Sequence, residues 1–149
     1  MKFTDIQILG CKVAKKVSMN YYHPKEGLNY NVEDGEYPHP DLVEAIAAFK
    51  PNLAESHYII GEEQDYFRPQ GFQIHEDKEV FSVVVVGKMT TLEGEDVSIK
   101  SGKILIDEEK DVPEKLATLR KELFGYFFEG KSAQATIPFK DEEKKEEKE

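Results

Sequence analysis

The stretch EVFSVVVVGKMTT at residues 79–91 constrains this chain more than any other. Four valines stand in a row, β-branched and threonine residues dominate, and the turn LEGE separates the run from DVSIKSGKILID, which alternates apolar with polar residues. That combination predicts a β-hairpin. Because SVVVVG is apolar at consecutive positions, both faces of its strand are expected to be covered, which makes it a central strand. FQIHED, just upstream, reads as a further short strand.

The first third of the chain has the same period of two. FTDIQIL places Thr4, Ile6 and Ile8 on one face, KVAKKVSMNYY places Val13, Val17, Met19 and Tyr21 on one face, and GLNYNVEDG alternates Leu28, Tyr30 and Val32. With LGC and HPKEG as turns, these make a three-stranded meander. The period then lengthens: Leu42, Ile46, Phe49 and Leu53 fall at helical spacing, Pro38 and Pro40 stand just before, and Asp41 is available to the first turn. Pro51 removes a helical hydrogen bond, so a kink or break is expected there. GEEQDYFRPQG reads as a connection, and VPEKLATLRKELFGYFFEG as a second helix with Pro113 in its first turn and Gly130 as its stop.

The expected fold is α+β: antiparallel sheet with two helices, in the order βββα-βββα, and ATIPF near the C-terminus as a further strand. One domain spans residues 1–139, and its halves, 1–60 and 71–139, are similar enough in length to raise a pseudo-symmetric duplication. Residues 140–149, KDEEKKEEKE, cannot bury apolar surface and are expected to form a disordered charged tail.

At 149 residues with 39% hydrophobic and 34% charged content, the core is economical and the surface densely charged. No apolar run of about 18 residues exists and the N-terminus alternates, so a soluble protein of a host cytosol is expected, without a membrane partner. The single Cys11 excludes an internal disulfide and reads as a small buried side chain. A net charge of −10 argues against coating duplex DNA by charge alone. The charge is uneven, however: residues 1–30 sum to +3 and the remainder to −13.

Three stretches, PHPDLVEAIAAFKPNLAE, VVVVGKMTTLEGEDVSIKSGKI and LFGYFFEGKSAQ, together resemble small uncharacterised proteins encoded by phages and prophages. The resemblance implies a binding protein: an accessory of DNA metabolism, an inhibitor of host machinery or a sequestering protein. It implies no catalytic residue and no cofactor.

The residues themselves weaken enzyme readings. His23, His39, His57 and His75 form no short-spaced pair, and HED at 75–77 spreads its side chains over both faces of a strand. No G-x-S-x-G elbow occurs, EGKS at 129–132 is only the end of a phosphate loop, and carboxylate pairs such as Glu62 and Glu63 are too common here to inform. The most suggestive constellation is N-terminal. Lys12, Lys15, Lys16 and Lys25 accompany strands carrying Tyr21, Tyr22 and Tyr30, and a sheet face showing Lys and Tyr holds single-stranded nucleic acid by charge and stacking. Alternation assigns Tyr21 and Tyr30 to the core and leaves Tyr22 exposed. The candidate site is therefore Lys12, Lys15, Lys16, Tyr22 and Lys25, with no metal, cofactor or catalytic residue. The expected partner is single-stranded nucleic acid. Alternatives are a host protein captured by the acidic surface, as by an inhibitor or decoy, and further copies of the chain in a homo-oligomer.

Overall fold

The computed structural model describes residues 1–57, 61–106 and 111–132. Among these residues seven strands form one antiparallel sheet: β1 (Gln7–Val13), β2 (Val17–His23), β3 (Leu28–Asp34), β4 (Phe67–Asp77), β5 (Val80–Thr90), β6 (Asp96–Lys100) and β7 (Ile104–Leu105). Their order is β3-β2-β1-β4-β5-β6, and β7 continues the outer edge alongside β5. Two meanders thus start from the sheet centre, where β1 pairs with β4, and run outward in opposite directions. This is the strand order a two-fold axis normal to the sheet would produce. The helices follow the third and the last strand: α1 (Pro40–Ala47), α2 (Lys50–Glu55) and α3 (Val112–Phe128). The architecture is the expected α+β sheet with helices, although the order βββα-βββα is matched only approximately. Among the described residues no helix is long and apolar enough to cross a membrane. The strand expected at ATIPF and the charged tail at 140–149 lie outside the described residues.

Four boundaries differ from expectation for local reasons. LGC is not a turn: β1 runs through it, with a register shift between Ile8 and Gly10, while Phe3–Asp5 form a 3-10 turn and Ala14 to Lys16 make the reversal. FRPQG belongs to β4, which absorbs Pro69 through an irregularity between Pro69 and Gly71. DVSIKSGKILID breaks into β6 and β7 because Ser101 closes on Val85, its amide donating to the Val85 carbonyl while its Oγ accepts from the Val85 amide. In the first helix the break falls at Ala48 and Phe49, so Pro51 sits in the first turn of α2, where it loses no helical bond. His39, rather than Asp41, caps α1, its Nδ1 accepting from the Asp41 amide at 3.0 Å.

One hydrophobic cluster fills the space between the sheet and the helices. Val17, Met19 and Tyr21 from β2, Phe72 from β4, and Val83 and Val85 from β5 meet Leu42, Ile46, Phe49 and Leu53 of the α1–α2 segment and Leu116, Leu119 and Leu123 of α3. Tyr21 stacks on Tyr30 and meets Phe128 edge-on, which confirms both tyrosines as core-facing. Cys11 is buried as expected, and burial pushes its thiol up to about 12. The valine strand is interior but lies one place off the sheet centre. Its covering is also uneven: Val83 and Val85 face the helices, whereas Val84 lies on the other face, where no described element forms a second layer.

Candidate nucleic-acid interface

Paired residues of an antiparallel ladder share a face. On the face away from the helices, one row therefore runs Asn31, Asn20, Gly10, Gln73, Val84 across β3, β2, β1, β4 and β5. The next row, two residues along each strand, runs Glu33, Ser18, Lys12, Gly71, Val86, Lys100. A third, shorter row holds Arg68, Lys88 and Ser98. Lys12 and Lys100 thus lie in the row next to the amides, about 7 Å of strand rise away, and Lys88 lies one row further.

The glycines shape this surface. A Cβ on Gly71 would come 1.8 Å from the Cys11 carbonyl oxygen, and one on Gly10 would come 2.7 Å from Asn20 Oδ1. Only glycine fits where β1 and β4 approach so closely. Two shallow depressions flank Lys12: one of about 490 Å³, lined by Ser18, Asn20, Asn31 and Gln73, and one of about 370 Å³, lined by Gln70, Val86, Ser98 and Lys100.

The charge of this face opposes that of the molecule. Lys12, Arg68, Lys88 and Lys100 stand against Glu33, Asp77 and Asp96. Arg68 is committed to Asp96 at 2.9 Å; its guanidinium, and then the Thr90 hydroxyl, hold the Asp96 carboxyl below the ordinary aspartate range. Glu33 pairs with Lys16 at 3.6 Å, an exposed pair of little energetic weight. Lys12, Lys88 and Lys100 have no ion-pair partner within 4 Å among the described residues. On the helix side, by contrast, a groove between α1 and α3 is lined by Asp41, Glu44, Glu114, Glu122 and Lys115, with Lys131 bridging Asp41 and Glu122.

The fold divides the five residues picked out by sequence. Lys12 and Tyr22 both lie on the uncovered face, Tyr22 half-buried opposite Gln7 and Asn29. Lys15 and Lys16 occupy the β1–β2 turn, and Lys25 the β2–β3 turn at the opposite end of β2. The set is thus one central lysine, one tyrosine and two separate rims. Sequence proximity missed Lys88, Lys100, Asn20, Asn31 and Gln73. Alternation within GKMTT and DVSIK does set Lys88 and Lys100 opposite Met89 and Ile99, but only the strand order carries them to Lys12.

Comparison with protein-family models, curated proteins and solved structures returns no match for this chain.

Proposed function

We propose that the uncovered sheet face binds single-stranded nucleic acid, and that the protein is a non-enzymatic, phage-type accessory of nucleic-acid metabolism. The observation that carries this reading is the lysine track of Lys12, Lys88 and Lys100 beside the amide row on an uncovered sheet, in a molecule of net charge −10. Without such a local track, the acidic whole would repel a polyanion. The lysines would take phosphates, the amides would meet base edges, and Tyr22 would offer a ring for stacking. Lys15, Lys16 and Lys25 extend the positive rim at the two ends of β2.

Fluorescence anisotropy of labelled single-stranded and duplex oligonucleotides tests the reading. Preference for the single strand is expected, with affinity falling by roughly 0.7 log unit per log unit of salt for each phosphate neutralised. Affinity that stays flat with salt, or no binding at all, would remove the reading. The groove between α1 and α3 favours a second one, an inhibitor or decoy that presents Glu44 and Glu114 to a basic host protein, beside Asp41 and Glu122, which Lys131 bridges. That reading gains if the protein binds no oligonucleotide but binds a lysine-rich peptide in a salt-sensitive manner.

A further inference from the structure

We infer that β6 is a self-recognition edge through which two copies of this chain pair antiparallel about a two-fold axis at Ser98. The pairing does not rest on the proposed nucleic-acid role, but it shares Lys100 with it, because in the pair this lysine faces Asp96 of the second copy.

The first support is the phase of the strand's hydrogen bonds. Ser101 donates its amide to the Val85 carbonyl at 2.8 Å, so alternation turns the amides and carbonyls of Ile99 and Val97 toward β5 and those of Lys100, Ser98 and Asp96 away from it. The Lys100 carbonyl is already held by His57 Nε2 at 3.1 Å, so in the pair His57 must release this carbonyl or share it with the Asp96 amide of the second copy. Among the described residues no strand pairs with this outer edge. An unpaired edge is a template for another strand.

The second support is the sequence of that edge, Asp96-Val97-Ser98-Ile99-Lys100, which is complementary to itself when read antiparallel. With Ser98 opposite Ser98 of a second copy, each Asp96 faces a Lys100 and each Val97 faces an Ile99. Opposite charges then meet on the uncovered face, where Lys100 of the second copy joins Arg68 and Thr90 around the Asp96 carboxylate, and apolar side chains meet on the helix face. Lys100 has no ion-pair partner among the described residues, and Val97 is 41% exposed. Apolar exposure also gathers nearby, at Leu92 in the β5–β6 turn and Leu105 in β7. The opposite edge, β3, lacks such symmetry: centred on Asn31 it sets Leu28 against Asp34, and centred on Tyr30 it sets Glu26 against Asp34. An interface of this kind is isologous and closes at two copies. Its small extent makes it concentration-dependent. Because the axis is normal to the sheet, the two uncovered faces become one.

Multi-angle light scattering across a wide concentration range tests the pairing with four proteins. The parent is expected to climb from 17.1 kDa toward twice that mass. Lys100→Asp and Asp96→Lys, each of which sets like charges opposite each other, are expected to stay at the monomer mass alone and to associate when mixed in equal amounts, because each then supplies the charge the other lacks. Ser98→Pro removes an outward amide without touching the β5 ladder, and is expected to remain folded by circular dichroism and monomeric. A parent that stays monomeric throughout would overturn the inference. So would variants that associate like the parent, or a mixture that does not associate while Ser98→Pro still does.

Discussion

Arg120 of α3 donates from Nε to the carbonyl oxygen of Ile8 at 3.1 Å, at the point where the register of β1 shifts toward Gly10. A partly buried cation thus closes the hydrogen bonding of an irregular strand and ties the last helix to the sheet centre. Burial lowers the Arg120 pKa, yet guanidinium stays charged at any working pH. Replacing it with methionine keeps the apolar stem and leaves the Ile8 carbonyl unpaired. Arg120→Met is expected to lose about 1–3 kcal/mol in urea unfolding. A loss below a few tenths would show that water reaches that carbonyl.

The β1–β4 seam joins the two meanders, and Gly71 permits it. Gly71→Ala places a Cβ 1.8 Å from the Cys11 carbonyl oxygen, a backbone atom that cannot swing aside. The expected cost exceeds about 3 kcal/mol, well above the typical substitution. Gly35→Ala, with nothing within 4 Å of the added carbon, serves as the control and is expected to change stability little. Equal melting of the two variants would mean that the seam opens without penalty.

Alkaline pH is expected to destabilise the fold through two buried groups. Burial raises Cys11 from 9.0 to about 12 and Tyr126 from 10.0 to about 12, while the Tyr126 hydroxyl donates to the Glu36 carbonyl at 2.5 Å. Both folded values exceed the unfolded ones, so the unfolded chain releases these protons first. Their contribution is complete below about pH 9 and is lost as pH rises toward 12. Melting temperature measured from pH 8 to 11 is expected to fall, and to fall less steeply for Cys11→Ala and for Tyr126→Phe. Unchanged slopes in both variants would place the alkaline loss elsewhere.

On the binding face, stacking and charge separate cleanly. Tyr22→Ala is expected to weaken single-strand binding by about 1–3 kcal/mol while leaving the salt slope unchanged. Lys12→Gln, Lys88→Gln and Lys100→Gln are each expected to lower that slope by about 0.7. Anisotropy at several salt concentrations measures both quantities. A tyrosine variant that changes only the slope would reverse the assigned roles.

Period-two and helical spacing were enough to find the strands, both helical segments and most of the core, because burial of Val17, Met19 and Tyr21, or of Leu42, Ile46 and Leu53, is written locally. The bulge between Ile8 and Gly10 was not legible, since it lies in the pairing of β1 with β2 rather than in the residues of β1 alone. The site was half legible for the same reason. Lys12 and Tyr22 alternate outward within their own strands, but Lys88 and Lys100 join them through pairings between segments far apart in the chain. Lys15, Lys16 and Lys25 looked contiguous in sequence, and a hairpin sends neighbours in sequence to opposite ends of a strand.

Amide chemical-shift mapping of the labelled protein, titrated with a single-stranded oligonucleotide, locates the binding face residue by residue. The changes are expected to concentrate at Lys12, Asn20, Tyr22, Asn31, Gln73, Lys88 and Lys100, with α1 and α3 unaffected. Changes confined to the helix side, or none at saturating oligonucleotide, would contradict a nucleic-acid role for this face.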